Sequence, residues 1–203
     1  MESLTQVEKK FLLSLSPPQK IQDYLESIPF NHEETGETCM SPRYVIKHSR
    51  AHCLEGAFLA YTALTLQKKE AYLVSLKVTD NDHDHVITLF KEYGYWGAIS
   101  KTNHAVLGYR DPVYKSIREL VMSYFHEYFL IASGEKTLRG YSRGITMKRF
   151  GTSWITSENN LFMIAEAISD LPHTMIIPEY NKKNIRHATR IDKIASSVSW
   201  DGS

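Results

Sequence analysis

Two short stretches of the chain contain residues that could carry out acyl-transfer chemistry, and the first contains Cys53. In the run 51–57, AHCLEGA, apolar and small residues begin to recur at helical spacing, so a helix is predicted to start at the cysteine. A thiol in the first turn of a helix faces unpaired backbone N–H groups and the positive end of the helix dipole, which lower its pKa. This position favours a thiolate nucleophile. The alternative is that Cys53 is a small, buried apolar residue.

The second stretch, DNDHDHV at 80–86, supplies a candidate base, His85. Strands are predicted at 71–78, 86–90 and 95–99, so His85 opens the middle one. A Cys–His pair in this order of elements can attack an amide carbonyl, release an amine and leave a thioester. Water would then complete a hydrolysis, whereas a second amine would complete a transamidation. The Cys53 backbone N–H, at the helix start, is the candidate oxyanion donor.

The residue that orients His85 depends on the register of the predicted hairpin. A two-residue turn would force Tyr93 to a positive φ, whereas a three-residue loop, 92–94, places Gly94 at the left-handed position. With the three-residue loop, paired residue numbers sum to 186, and Asn103 falls on the same face as His85. An asparagine carbonyl accepts well from an imidazole N–H, so the predicted catalytic set is Cys53, His85 and Asn103. The alternatives to Asn103 are Ser100, Asp82 and Asp84.

These residues and their order resemble the transglutaminase-like (papain-like) superfamily over residues of about 41–110. The runs AHCLEGA, DHDHV, WGAISKTN and YRDPVYKSIREL are similar to a set of uncharacterised bacterial transglutaminase-like proteins, and there the similarity extends to about residue 170. The resemblance implies a Cys–His–Asp/Asn triad and a peptide, protein or small amide substrate. It also implies an α+β, papain-like core, in which an antiparallel sheet packs against the Cys-bearing helix, with additional helices at both ends.

Two positions depart from the family pattern. Ile87 stands where the family has an aromatic residue, and Ser100 stands where an aspartate is expected. Two functions therefore stay open. The first is a cysteine-dependent amide hydrolase or acyltransferase, transglutaminase-like or peptidase-like. The second is a catalytically inactive domain that uses the same cleft to bind a peptide or protein partner.

Length and composition indicate one globular domain spanning residues 1–203, with a core at about 41–132, a helical segment at 1–40 and a second helical segment at 133–203. The formal net charge of +1 gives no indication of a polyanionic partner. Neither a signal peptide nor a membrane span is predicted, so a cytoplasmic location is expected. A disulfide between Cys39 and Cys53 is not expected. The oligomeric state stays open.

Outside the site, helices are predicted at about 5–14, 17–28, 41–48, 112–131, 157–168 and 184–198. The helix that follows Asp111 and Pro112 has the strongest amphipathic pattern. Residues 29–39 and the basic run 133–150 are predicted as loops, the latter in preference to a nucleic-acid-binding platform.

No cofactor or metal ion is predicted. Alternate residues of the extended run 80–85 point in opposite directions, so its acidic and histidine side chains do not converge on one ion. His52 and Glu55, which flank the cysteine, are predicted to lie at an exposed helix end.

Overall fold

A computed structural model describes residues 4–34, 36–104 and 106–196 of the chain. The structure is α+β and contains a six-stranded antiparallel sheet. The strands are β1 Ala71–Lys77, β2 His85–Glu92, β3 Tyr95–Ile99, β4 Arg110–Tyr114, β5 Gly140–Ser142 and β6 His173–Met175. The α-helices are α1 Gln6–Ser14, α2 Pro18–Ser27, α3 Pro42–His48, α4 Cys53–Leu66, α5 Ile117–Tyr124, α6 Phe162–Ser169 and α7 Arg190–Ser196.

The sheet has the order β4-β3-β2-β1-β5-β6 and separates two hydrophobic cores. On one face α4 packs against side chains such as Leu73 and Phe90, together with the N-terminal helices and α6. On the other face α5 packs against Ile87 and Leu89. The predicted antiparallel pairing of β2 with β3 is confirmed, as is the packing of the Cys53 helix on one face of the sheet.

The central helix α4 is buried at every residue from Leu54 to Leu64. This explains why the segment is apolar on all sides, as expected for a helix surrounded by other elements. Gly56 is required where the helix approaches the end of β3, because a Cβ there would lie 2.4 Å from the Lys101 Cβ. The close approach fixes the helix, and hence its first residue, Cys53, relative to the sheet.

The β2–β3 turn differs from the prediction. Glu92 pairs with Tyr95, so the turn has two residues and paired numbers sum to 187. Tyr93 adopts φ 49° and Gly94 φ 87°. A two-residue turn of this hand matches the twist of the flanking strands. The Tyr93 side chain is fully exposed, so it meets no packing conflict there. The predicted three-residue loop is therefore wrong.

The predicted helix at 112–131 is also wrong at both ends. Arg110–Tyr114 forms the edge strand β4, where Pro112 is tolerated because it need not donate to a neighbouring strand. The helix begins only at Ile117, where the Ser116 side chain accepts from the Glu119 N–H, and it ends at Tyr124. The predicted amphipathic face survives in part, since Leu120 and Val121 are buried against the sheet.

The C-terminal third contains short elements that the sequence did not indicate. The predicted loop 133–150 contains β5, and β6 follows α6. The helix predicted from about 157 begins at Phe162. The region of the last predicted helix holds the end of a 3₁₀ segment, Glu179–Asn184, and α7; residues 197–198 of that prediction lie outside the described part.

Over residues 4–34, 36–104 and 106–196, the structure contains no helix long and apolar enough to cross a membrane.

Candidate active site

A cleft of about 1060 Å³ opens where α4 and β2 begin. Its wall contains Cys53, His52 and His85, and an apolar side that includes Phe129 and Phe162. It also contains five carboxylates, and no lysine or arginine lines it within the described part of the chain. The carboxylates are Glu33, Glu37, Asp82, Asp84 and Glu166.

Cys53 is the first residue of α4 and is partly exposed to this cleft, as the sequence predicted. Burial alone would raise the pKa of its thiol. The side chains of His52 and His85 act in the opposite direction through hydrogen bonding and charge, and the net result is a pKa lowered to about 5. Because Cys53 opens the helix, its backbone N–H has no acceptor within the helix and can serve an oxyanion.

His85 opens β2, as predicted, and its ring is largely enclosed. The Nε2 atom lies 2.8 Å from the Ser100 Oγ, and the Tyr128 ring packs edge-to-face at a centroid distance of 6.5 Å. The Tyr128 hydroxyl is held by the His83 carbonyl oxygen at 3.2 Å, which fixes this shielding ring. With Nε2 bound to Ser100, Nδ1 is the nitrogen left to exchange a proton with Cys53.

The predicted contact between Asn103 and His85 is wrong. The observed register, one residue away from the predicted one, turns Ser100 to the face of His85. Asn103 is exposed at the cleft wall and makes no hydrogen bond to the His85 ring within the described residues.

The two acidic alternatives do not hold the His85 ring either. Asp84 accepts from Lys77 Nζ at 2.9 Å and from the Val78 N–H at 3.0 Å. Asp82 accepts from the Thr137 hydroxyl at 2.5 Å. Both carboxylates therefore stabilise the loop between β1 and β2, and of the alternatives to Asn103 only Ser100 contacts His85.

Gln22, from α2, fixes the backbone of Ser100. Its Oε1 accepts from the Ser100 N–H at 2.9 Å, and its Nε2 donates to the Ser100 carbonyl oxygen at 2.9 Å. The glutamine is 4% exposed, so this pair of hydrogen bonds is shielded from water. The contact joins residues 78 apart in the chain, and no pattern in the sequence of α2 indicates it.

Glu55 and His52, predicted at an exposed helix end, are instead enclosed. Glu55 is 1% exposed, and its carboxylate accepts from Met40 N at 2.9 Å, Thr38 Oγ1 at 3.0 Å, Asn31 Nδ2 at 3.1 Å and His52 N at 2.9 Å. The last contact belongs to a capping box. The H-x-x-E spacing at 52–55 was a usable signal for it, although histidine is an unusual first residue in that motif.

The His52 ring is held at both nitrogens. Its Nδ1 accepts from the Leu54 N–H at 3.2 Å, while Nε2 lies 3.0 Å from the Thr38 carbonyl oxygen and 3.4 Å from Glu55 Oε1. Burial acts to lower the pKa of His52, but Cys53, Glu55 and the Thr38 carbonyl raise it to about 9. Two imidazoles, those of His52 and His85, therefore lower the pKa of Cys53.

Cys39 and Cys53 are both free thiols. Within the described residues, no group of three or more His, Cys, Asp or Glu side chains is arranged to hold a metal ion.

No protein-family model matches the chain, and a search of curated proteins finds no significant match. The resemblance to the transglutaminase-like superfamily therefore stays a prediction.

Proposed function

We propose that this chain is a cysteine-dependent amide hydrolase or acyltransferase with a papain-like, transglutaminase-like core. The observation that carries the proposal is the position of the Cys53 thiol at the start of a buried helix, in the same cleft as a histidine, His85, that is itself oriented and shielded. The neighbouring imidazoles lower the pKa of this thiol. Burial disfavours a thiolate, so a structure that lowers this pKa against burial has the electrostatics of a nucleophile.

The reaction follows from the positions of these groups. The Cys53 thiolate attacks the carbonyl carbon of an amide, and the Cys53 N–H stabilises the oxyanion. The C–N bond breaks, and the amine leaves with a proton supplied by the protonated His85. The resulting thioester is attacked by water, or by a second amine, after His85 takes the proton from the incoming nucleophile. Collapse of the second tetrahedral intermediate regenerates the Cys53 thiolate.

Ser100 takes the place of the carboxylate or amide that orients the histidine in related triads. In this mechanism its hydroxyl, 2.8 Å from Nε2, accepts from the Nε2–H of His85, which leaves Nδ1 to accept a proton. A neutral hydroxyl stabilises an imidazolium less than a carboxylate does, because the hydrogen bond lacks the charge of the acceptor. Ser100 therefore orients the His85 ring but stabilises its protonated form only weakly.

A second function, an inactive domain that binds a peptide or protein in the cleft, is favoured by the same serine. The cleft has the volume of a ligand site, and its mixed apolar and acidic wall could hold a short peptide without any reaction.

Acylation by p-nitrophenyl acetate at pH 7 separates the two functions. The hydrolase or acyltransferase releases a burst of one equivalent of p-nitrophenol, and tryptic mass spectrometry finds the acetyl group on Cys53. The Cys53→Ala variant loses the burst, whereas Cys39→Ala keeps it. A native protein that shows no burst and no acetyl group on Cys53 supports the inactive binding domain instead.

A further inference from the structure

Helix α2 meets the end of β3 at two adjacent residues, Ser100 and Lys101. The Gln22 side chain of α2 bonds to both backbone groups of Ser100, at 2.9 Å each. The Lys101 Nζ donates to the carbonyl oxygens of Leu25 at 2.8 Å and Ile28 at 2.6 Å, at the C-terminal end of α2. A lysine at this end of a helix satisfies carbonyl groups that the helix itself leaves unpaired. Two adjacent residues therefore tie α2 to the end of β3.

The backbone of Ser100 takes its partners from Gln22 because strand pairing stops before it. The β2–β3 ladder ends at the pair Thr88 and Ile99, and Ser100 follows directly. Ser100 is 2% exposed and Gln22 is 4% exposed, so these hydrogen bonds are shielded from water. A buried backbone group that loses its partner is costly, and the Gln22 amide therefore fixes where the Ser100 backbone lies.

A third hydrogen bond fixes the orientation of the Gln22 amide. Its Nε2 also donates to Glu26 Oε1 at 2.8 Å, one turn further along α2. A carboxylate only accepts, so this contact places the amide nitrogen, and not the oxygen, towards Glu26. The two N–H groups then serve Glu26 and the Ser100 carbonyl, and the oxygen accepts from the Ser100 N–H. A primary amide in this one orientation satisfies all three contacts.

We propose that Gln22 is a positioning residue of the reaction, which acts on His85 through Ser100. One torsion separates the serine hydroxyl from its backbone, so a displaced backbone would displace the hydroxyl from His85 Nε2, which it now meets at 2.8 Å. The inference rests on the proposed function, because the orientation of His85 matters only if this ring assists the chemistry at Cys53. Helix α2 thus completes the site from outside the region, about 41–110, that carries the family resemblance.

The test is the rate at which water hydrolyses the acetyl-Cys53 thioester, formed with p-nitrophenyl acetate and followed by mass spectrometry. Gln22→Met keeps the length of the side chain but removes the amide. We expect hydrolysis at pH 7 to slow by about 2- to 13-fold, the effect of losing one hydrogen bond at His85. Gln19→Met is the matched control, since it makes the same change at an exposed position of the same helix, and it leaves the rate unchanged.

A Ser100→Ala background distinguishes positioning from a general loss of structure. If Gln22 acts through the serine hydroxyl, Gln22→Met slows hydrolysis in the native background but not in Ser100→Ala. Thermal unfolding of each variant is measured alongside, so that a loss of folding is recognised. A native rate in folded Gln22→Met, or the same slowing in both backgrounds, overturns the inference.

Gln22→Glu is a second variant that keeps the test open if Gln22→Met does not fold. A neutral carboxyl group can accept from the Ser100 N–H and donate to the Ser100 carbonyl, whereas an ionised one has no proton to donate. Burial and the neighbouring Glu26 raise the pKa of the introduced carboxyl group. We expect the ratio of native to variant hydrolysis rates to rise from near one at pH 5 to about 2- to 13-fold at pH 8, and to stay constant in the Ser100→Ala background.

A ratio that does not change between pH 5 and pH 8 contradicts the inference. That result leaves the proposed function standing, because the native protein would still form and hydrolyse its acetyl thioester. A native protein that forms no acetyl-Cys53 contradicts the proposed function itself.

Discussion

The two cysteines of this chain line the same cleft, yet their thiols are shifted in opposite directions. Cys39 is 1% exposed, and burial followed by the charge of Glu55 raises its pKa to about 12. Burial also acts to raise the pKa of Cys53, but His52 and His85 lower it to about 5. The same carboxylate, Glu55, opposes a thiolate at Cys39 and supports one at Cys53 through His52. The neighbouring imidazoles, and not burial alone, therefore make Cys53 the more acidic of the two thiols.

The two cysteines also differ in whether their backbone groups are already hydrogen-bonded. Cys39 lies in an irregular segment that is tied to the start of α6, because its N–H donates to Asn160 Oδ1 at 2.8 Å and its carbonyl accepts from the Leu161 N–H at 2.7 Å. Both of its backbone groups are therefore used in holding the segment. Cys53 opens a helix, so its N–H has no intrahelical acceptor.

The largest expected effect comes from replacing His85. In His85→Gln we expect the rate at which water hydrolyses the acetyl-Cys53 thioester, formed with p-nitrophenyl acetate at pH 7, to fall by about 10²–10⁴-fold, because general-base assistance to the incoming water is lost. His83→Gln is the matched control, since it changes an exposed histidine two residues away in the same cleft, and we expect its rate to stay within about twofold. Equal rates for the two variants would remove His85 from the mechanism.

The acidic wall of the cleft should make Cys53 discriminate between charged reagents. We expect a trimethylammonium-bearing methanethiosulfonate to modify Cys53 at least about tenfold faster than a sulfonate-bearing reagent of similar size at low ionic strength. The ratio should fall as salt is added and in the Glu37→Gln/Glu166→Gln variant, whose two carboxylates are exposed at the wall. Glu34→Gln is the control. A ratio near one that is insensitive to salt would show that the wall exerts no effective field on the thiol.

A smaller effect distinguishes the two candidates for the residue that holds His85. Ser100→Ala removes the 2.8 Å hydrogen bond to Nε2, and one such bond contributes about 0.5–1.5 kcal/mol, so hydrolysis of the acetyl-Cys53 thioester should slow by about 2- to 13-fold. Asn103→Ala removes an exposed side chain that does not touch the ring, and its effect should be smaller. If Asn103→Ala slowed the reaction more than Ser100→Ala, the residue that orients His85 would be Asn103, as the sequence predicted.

The parts of the site that depend on local pattern could be predicted from the sequence. The helical spacing after Cys53 and the strand that opens on His85 are both found in the structure. The choice between Ser100 and Asn103 depended on a single residue of register. A local rule against positive φ at Tyr93 selected the wrong register, because strand twist and full exposure of that side chain outweigh its local cost.

The parts that depend on tertiary contacts could not be predicted. Gln22 reaches Ser100 across 78 positions, and Glu55 is buried by a segment, 31–40, whose sequence indicates only a polar loop. The three-residue strands β5 and β6 are too short to show alternation, and they form where β1 offers a free edge. The capping-box spacing of His52 and Glu55 was present but indicates a helix start, not a buried carboxylate beside the thiol.

The most direct test compares the alkylation of Cys53 and Cys39 by iodoacetamide in one native sample at pH 6. With pKa values of about 5 and about 12, the thiolate fractions are about 90% for Cys53 and on the order of 10⁻⁶ for Cys39. The more basic thiolate is intrinsically more nucleophilic by about 10³-fold, which leaves Cys53 faster by about 10³-fold before the burial of Cys39 adds to the difference. The rate at Cys53 should stay near its plateau down to about pH 6 and drop to about half near pH 5, as the thiolate is protonated. Equal rates for the two cysteines, or a Cys53 rate that rises only above pH 8, would contradict the assignment of Cys53 as an activated nucleophile.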